Sequence, residues 1–134
     1  MTENLELLNQ ARAAVKMAYA PYSNFQVGAA ILSENDEIFV GSNVENAAYP
    51  LGCCAEASAI SAMISGGSRQ IQEIIVVTDT ATPTSPCGGC RQRILEFSSE
   101  NTMVTLASIT KVFTSLPFSE FLPYTFSAKD LETK

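Results

Sequence analysis

Apolar side chains near the start of the chain recur at the spacing of an amphipathic helix. Leu5 and Val15 belong to this series, which predicts a helix from Thr2 to about Tyr19. Pro21 should end the helix, because proline has no backbone N–H to donate and its ring clashes with the preceding turn. The first predicted element is therefore a helix that packs one face against the rest of the fold.

The next apolar segments have the composition of strands. Val27 to Leu32 predicts a buried strand, and after a polar turn Ile38 to Val40 predicts its hairpin partner, which runs on towards Asn43. Ile74 to Thr78 is a β-branched run typical of a parallel or central strand. Met103 to Leu106 predicts a further strand.

Helical segments alternate with these strands. Ala55 to Ser65 is rich in helix formers and is followed by the stop signal Gly66–Gly67. Pro86 precedes a helix predicted from about Cys87 to Phe97. A short helical piece is predicted near Phe118 to Leu122, between two prolines.

The order α-β-β-α-β-α-β predicts an α/β protein, because helices that alternate with strands can cover both faces of one sheet. We therefore expect a three-layer α/β/α sandwich with a mixed central sheet. No linker, repeat or low-complexity tract divides the 134 residues, so a single domain spanning residues 1–134 is predicted.

Composition narrows the possible chemistry. The chain has no histidine, which excludes Ser-His-Asp and Cys-His catalysis, HExxH metalloproteases and imidazole metal ligands. Eight basic and fourteen acidic residues give a net charge of −6, and the basic residues are scattered. Because nucleic-acid binding needs clustered Lys and Arg, no nucleic-acid partner is expected, and a neutral small molecule suits the charge better.

The N-terminal segment is acidic and has no continuous apolar stretch of the kind found in signal peptides. The apolar runs elsewhere are too short to cross a bilayer. We therefore expect a cytoplasmic protein without a membrane partner, in which cysteines are free, metal-bound or catalytic rather than paired in disulfides.

Three of the four cysteines lie where the two central helices should begin. Cys87 and Cys90 are three residues apart and share a helix face, so both can point at one ion. Cys54 can complete the site if the two helix starts lie side by side. Free N–H groups at a helix start favour thiolates, and three protein ligands leave a fourth tetrahedral position for water, as in catalytic zinc sites.

Glu56 lies close enough to Cys54 in sequence to reach such a water without binding the metal, and could move its protons. Other interpretations of the cysteines are a redox CxxC pair, half of a structural zinc site, or a closed four-thiolate site that includes Cys53. Neighbouring helical positions diverge by about 100°, however, so Cys53 and Cys54 would not easily bind one ion. We expect Cys53 to be a small buried side chain.

The pattern Cys54-x-Glu56 followed by Pro86-Cys87-x-x-Cys90 is similar to the signature of zinc nucleobase and nucleoside deaminases. Segments across nearly the whole chain resemble the cytidine deaminase family in register and order: Ala20–Ala30, Asn43–Ala47, Pro86–Gln92 and Leu122–Ser127. The resemblance implies the fold, the reaction and the site residues described next.

The resemblance implies hydrolytic deamination of cytidine and deoxycytidine to uridine and deoxyuridine in pyrimidine salvage. One Zn²⁺ per chain would be held by Cys54, Cys87 and Cys90, and zinc-bound hydroxide would attack C4 of the ring. Glu56 would protonate N3 and then the departing ammonia. The backbone N–H of Ala55 would help to hold the ring or the hydroxide.

The resemblance also implies a nucleoside site. Asn43 and Glu45 match the ribose-binding positions, although the pattern alone suggests two solvated polar groups at a strand end. Phe25 would border the nucleoside, although it could equally pack in the core. Phe126 would reach the base from a neighbouring subunit, rather than dock on its own core, because relatives of this short three-cysteine type are homotetramers.

One position departs from the family. Relatives commonly have arginine directly after the catalytic glutamate, where this chain has Ala57. Zinc with three thiolates keeps one net negative charge, which weakens the metal as a Lewis acid unless donors offset it. Either the amides at the helix start, including those of Gly88 and Gly89, must then do more, or Arg91 or Arg93 must substitute. Our hypothesis assigns the role to Arg91.

Rival functions are a deaminase for a modified cytosine nucleoside, such as a blasticidin S deaminase, a non-catalytic zinc module, and a redox CxxC protein. The segment Asn43–Asn46 favours an ordinary ribose. Ala57 is the feature that favours a non-catalytic module, whereas Glu56 argues against one, because a structural zinc site has no use for an acid beside an open ligand position.

Overall fold

The computed structural model describes residues 4–132. Its helices and strands follow in this order: α1 (Leu5–Met17), β1 (Val27–Ser33), β2 (Ile38–Ser42), α2 (Ala55–Ser65), β3 (Ile71–Thr78), α3 (Gly88–Glu96), β4 (Ser98–Ala107), β5 (Val112–Pro117) and α4 (Ala128–Glu132). The two short 3₁₀ helices assigned within this range are Tyr49–Leu51 and Phe118–Glu120.

The strands of the described range form one sheet in the order β2-β1-β3-β4-β5. β3 and β4 are parallel, and the other neighbours are antiparallel. The predicted mixed sheet is confirmed, with the Ile74 to Thr78 run in its central strand. β5 and α4 were not predicted, and both lie in the last quarter of the chain.

Helix α1 packs on one face of the sheet. Its residues Leu7, Ala11 and Val15 form a buried cluster with Ala30 and Ile75 of the central strands. These strand residues alternate with neighbours that point to the other face, as the pleat requires.

Helices α2 and α3 cover the opposite face. Ala59, Met63 and Ile94 are buried in a second cluster with Ile74 and Val104. Helices therefore lie on both faces of one sheet, which confirms the predicted three-layer α/β/α sandwich.

Each face has a helix that runs very close to a strand backbone. A side chain at Gly28 of β1 would collide with the backbone of Ala11 and Val15 in α1. A side chain at Gly41 of β2 would likewise collide with the backbone of Ala55 and Ala59 in α2. Glycine is required at both positions, because even a methyl group would push the helix away from the sheet.

Helix α1 is shorter than the predicted span. The predicted start, Thr2, lies outside the described residues. At the other end, Tyr19 is drawn out of the helix by pairing with an extended segment: its N–H donates to Asn43 O at 2.9 Å, and its carbonyl accepts from the Glu45 N–H at 2.8 Å. This pairing fixes the segment after β2 against the end of α1.

No helix of residues 4–132 has both the length and the apolar character needed to cross a membrane.

Candidate active site

The three cysteines predicted to share an ion come together at the starts of two helices. Cys54 precedes α2, Cys87 precedes α3, and Cys90 lies in the first turn of α3. Their three sulfur atoms all lie within 4.8 Å of one another. Helices α2 and α3 cover the same face of the sheet, so residues far apart in the sequence meet where the helices begin.

The three thiols differ in their surroundings. The backbone N–H groups of Cys90 and Gly89 hold the pKa of Cys87 below its ordinary value. Burial raises the pKa of Cys54, and burial together with the Glu56 carboxylate raises the pKa of Cys90. One sulfur is thus prepared as a thiolate by the start of α3, while the other two become thiolates more readily when a cation is bound.

This donor set fits zinc. Three converging sulfurs are soft ligands, which zinc accepts and which magnesium or calcium does not. In a tetrahedral site at about 2.3 Å from each sulfur, three thiolates leave one position for a further ligand. The chemistry of the cluster is therefore that of an open zinc site.

Glu56 lies beside the sulfurs in the first turn of α2 and is only 5% exposed. Burial raises the pKa of its carboxyl group, while its own backbone N–H and the charge of Arg93 act in the opposite direction. A buried carboxyl whose pKa lies above its ordinary range can accept and return a proton more easily near neutral pH.

A cavity of about 360 Å³ opens next to the cysteines. It falls within the range of volumes of small-molecule pockets. Its walls combine one aromatic side chain with polar groups from five segments, including Phe25, Asn43, Glu45, Ala55, Glu56 and Cys87. The structure thus brings two of the three predicted metal ligands, the predicted acid and most of the predicted substrate contacts to one cavity, with Cys90 buried behind it.

Asn43 faces the cavity and also anchors the segment before β1. Its Oδ1 accepts from the Val27 N–H at 2.8 Å, and its Nδ2 donates to Phe25 O at 2.8 Å. Asn24 adopts a positive φ of 58°, which turns the chain just before Phe25. An amide retains a second donor and further lone pairs, so Asn43 can still bind a ligand hydroxyl.

Glu45, like Asn43, lines the cavity and also anchors a neighbouring segment of the chain. Its carboxylate accepts from the N–H groups of Tyr22 and Ser23 at 2.9 and 3.1 Å, and from the Ser23 hydroxyl. The Ser23 hydroxyl and these backbone groups lower the pKa of Glu45, so the carboxylate stays ionised. Sequence reasoning gave Ser23 no role, because nothing local signals a contact across 22 positions.

Phe126 lies outside this cavity of its own chain. It is 61% exposed, and its backbone carbonyl accepts from Gln92 Nε2 at 2.8 Å. Phe25, by contrast, lines the cavity while remaining 42% exposed. The predicted contact of Phe126 with the substrate of a neighbouring subunit stays a prediction.

The structure corrects the expectation that Arg91 offsets the thiolate charge. Its Nε donates to Pro86 O at 2.9 Å, its Nη1 to Phe121 O at 3.0 Å and its Nη2 to Ser85 Oγ at 2.8 Å. These bonds tie the loop before α3 to the tail of the chain. One residue beyond Cys90, the helix turns the side chain away from the sulfurs by about 100°.

Arg93 takes the position beside the three cysteine sulfurs instead. Its Nη1 lies 3.6 Å from Cys90 Sγ. Residues three apart share a helix face, so the i, i+3 spacing from Cys90 is the sequence signal that could have identified Arg93 instead of the predicted Arg91.

Cys53 is exposed, which corrects the expectation that it is buried. Its backbone N–H and carbonyl pair with Val44, both at 2.9 Å, so the chain is extended at this point. Successive side chains of an extended segment point to opposite sides, and Cys54 is the one that faces the other cysteines.

The fold and the site define a class of protein: an α/β enzyme in which three thiols and a buried carboxyl group meet at adjacent helix starts. The family model described as the cytidine and deoxycytidylate deaminase zinc-binding region matches residues 1–106. The chain belongs to this deaminase family, whose members are hydrolases.

Two curated relatives show how much of the chain the similarity covers. Cytidine deaminase of Sporosarcina psychrophila is 40% identical over 126 residues, which is 94% of this chain and 93% of that protein. Cytidine deaminase of Halalkalibacterium halodurans is 42% identical over 125 residues, covering 93% and 95%. The similarity is therefore spread over nearly the full length of both proteins.

Solved structures agree with the fold. The crystal structure of cytidine deaminase from Burkholderia pseudomallei has a TM-score of 0.85 and 40% identity, covering 94% of this chain and all of that chain. The cytidine deaminase of Mycobacterium tuberculosis has a TM-score of 0.79 and 31% identity, covering 94% and 98%.

Proposed function

We propose that this protein is a cytidine deaminase that hydrolyses cytidine and deoxycytidine to uridine and deoxyuridine, with release of ammonia. The observation that carries the proposal is a cluster of three cysteine sulfurs beside a nucleoside-sized cavity that Cys54, Cys87 and the buried Glu56 line. The relatives named cytidine deaminase support the choice of substrate.

Cys54, Cys87 and Cys90 would hold one Zn²⁺ per chain. When bound there, zinc supplies a Lewis acid that lowers the pKa of a water molecule enough for it to act as a nucleophile at neutral pH. The chain's part is to keep the three sulfurs together. It also keeps one side of the site open towards the cavity.

Glu56 performs the proton transfers. Its carboxylate accepts a proton as the water oxygen bonds to C4 of the pyrimidine ring, and delivers one to N3. It then accepts the second proton of that water, now the hydroxyl on C4, and delivers it to the amino group. The C4–N bond breaks, the C4 carbonyl forms and ammonia leaves. Burial suits Glu56 to both tasks, because it eases protonation of the carboxylate.

The remaining cavity residues orient the nucleoside. Asn43 and Glu45 bind the ribose hydroxyls with the donor and acceptor capacity that their loop contacts leave open. Phe25 flanks the nucleoside, and the Ala55 N–H, free at the start of α2, helps to hold the ring or the nucleophile.

The assembly and setting follow the same proposal. The protein acts as a homotetramer in which Phe126 completes the cavity of a neighbouring subunit, which its exposure in the single chain favours. It works in the cytoplasm on free nucleosides, in pyrimidine salvage, with neither a nucleic-acid nor a membrane partner. The acidic net charge suits a neutral substrate.

The test is an ultraviolet assay of cytidine conversion by zinc-loaded protein, with zinc per chain measured on the same sample. We expect Glu56→Gln to keep zinc and to lose about 10²- to 10⁴-fold in kcat. Glu100→Gln, a substitution of an exposed glutamate on β4, should match the wild type. A zinc-loaded wild type that turns over neither cytidine nor deoxycytidine would refute the proposal.

A further inference from the structure

Arg93 lies beside the cysteine sulfurs, and the proposed reaction gives it no role. Its Nη1 lies 3.6 Å from Cys90 Sγ, the most buried of the three sulfur ligands. Among the described residues, Arg93 is the cationic side chain that donates to one of these sulfurs. Its charge also acts on Glu56, against the rise in pKa of that carboxyl.

The site concentrates negative charge. A divalent ion with three thiolates keeps one net negative charge, and the ionised Glu56 adds another in a buried position. Excess negative charge around a metal reduces its power to polarise a ligand, and donors to the ligand atoms offset this.

The three sulfurs do not receive this help equally. Cys87 already accepts the N–H groups of Cys90 and Gly89 at the start of α3. Arg91, the other arginine of this helix turn, is committed to the loop and the tail. Cys90 therefore depends on Arg93.

The Arg93 guanidinium also lies close to Gly89. A Cβ built at Gly89 would lie 3.4 Å from Arg93 Nη1, at the near limit of van der Waals contact. The guanidinium thus rests over the bare backbone of the first turn of α3, next to the sulfurs.

We propose that Arg93 is the charge-compensating positioning residue of this metal site, donating to Cys90 Sγ and offsetting the charge that the thiolates and Glu56 bring together. The inference rests on the proposed zinc site. Arg93 touches a ligand sulfur and not the reacting atoms, so it acts through Cys90.

Helix α2 offers another position close to a ligand cysteine. Ala57 follows Cys54 by three residues, the same separation as between Cys90 and Arg93, and lies in the first turn of α2. An arginine at position 57 would therefore approach the same sulfur cluster from the other helix. Here the cluster receives its arginine from α3 alone, and a second arginine on α2 becomes a test of the idea.

The experiment measures the rate of zinc release to a chromogenic chelator and the visible spectrum of the cobalt-substituted protein. Arg93→Gln should release zinc about 10- to 100-fold faster, shift the sulfur-to-cobalt charge-transfer bands, and lower kcat with little change in KM. Arg93→Lys, which keeps the charge, should recover part of each effect. Because Arg93 is exposed, the metal-free variants should unfold at the wild-type midpoint.

The double variant Arg93→Gln with Ala57→Arg should regain slow zinc release. Arg12→Gln removes the same charge on the opposite face of the sheet, where Arg12 donates to Ser108 O, and should leave zinc release, the spectrum and turnover unchanged.

Zinc release and spectrum of Arg93→Gln identical to the wild type would overturn the inference. So would failure of both Arg93→Lys and Ala57→Arg to restore them, because the loss would then not be one of charge. A wild type that holds no zinc would instead refute the proposed function on which the inference rests.

Discussion

The two faces of the sheet are built alike and used differently. On each, a helix lies against a strand glycine, Gly28 beneath α1 and Gly41 beneath α2. On the α1 face the helix and the strands meet in an apolar cluster. The α2 face starts from a similar cluster but ends in three thiols and a buried carboxyl group. The close packing of a helix on a strand glycine thus stabilises both faces. On the α2 face it also fixes the position of the reacting groups.

The helix starts show the same division. At α1 the Asn4 side chain accepts from the Leu7 N–H at 2.9 Å, the common way to satisfy a free donor of the first turn. At α2 the preceding residue is Cys54, whose side chain makes no such cap. The start of α2 thus lacks a stabilising side-chain cap, because the cap position is occupied by Cys54, a proposed metal ligand.

The largest effect expected from this comparison comes from removing zinc. Chelation should abolish turnover and expose the first turns of α2 and α3 to hydrogen exchange, because three sulfurs lose their common partner. Amides of α1 should keep their protection. With free zinc at about 100 times its dissociation constant, the metal-bound protein should be more stable by about 2.7 kcal/mol.

Hydrogen exchange followed by mass spectrometry, with and without zinc, locates the change, and denaturant unfolding gives the free energy. Equal loss of protection in α1 would show that the two faces respond to zinc as one unit. It would contradict the conclusion that only the α2 face depends on the metal.

A smaller effect should separate the faces by mutation. Gly28→Ala and Gly41→Ala each force a helix away from the sheet, and overpacking of this kind costs about 1–3 kcal/mol of unfolding free energy. Only Gly41→Ala displaces the helix that carries Cys54 and Glu56. A shift near 1 Å at the reacting groups costs up to about 10²-fold in rate, so kcat should fall in Gly41→Ala and stay close to wild type in Gly28→Ala.

Urea unfolding and zinc-saturated kinetics on the matched pair test this. A Gly28→Ala variant that loses kcat as strongly as Gly41→Ala would mean that α1 also sets the geometry of the site.

Most of the fold was open to prediction because its elements carry local signals. The bounds of α2, Ala55–Ser65, coincide with the predicted span, since helix formers are followed by a glycine stop. Strand β5 (Val112–Pro117) was missed because it is a short edge strand of mixed polarity. Its structure depends on pairing with β4, a non-local contact that the segment itself does not encode.

The site residues also divide into those that local sequence patterns predict and those that they do not. The sequence pointed to three cysteines and Glu56 because helix starts and i, i+3 spacing are local features. The direction of single side chains is harder to predict. Arg91 and Arg93 are two positions apart on one helix, and only Arg93 contacts a cysteine sulfur. Cys53, which the prediction treats as helical, lies in an extended part of the chain. If a helix or strand starts one residue earlier or later than predicted, the predicted direction of each side chain near that start changes.

The smallest expected effect concerns the cap of α1. Asn4→Ala removes the acceptor of the Leu7 N–H, and loss of an N-cap costs about 1 kcal/mol of unfolding free energy. Since α1 packs on the face away from the cysteines, kcat, KM and zinc release should not change. Asn4→Asp, which keeps a capping oxygen, should retain the stability and serves as the matched control. Thermal unfolding and zinc-saturated kinetics of the three proteins decide the point. A fall in kcat that follows the loss of stability in Asn4→Ala and is absent in Asn4→Asp would show that the α1 face, although remote from the sulfurs, helps to hold the site in place.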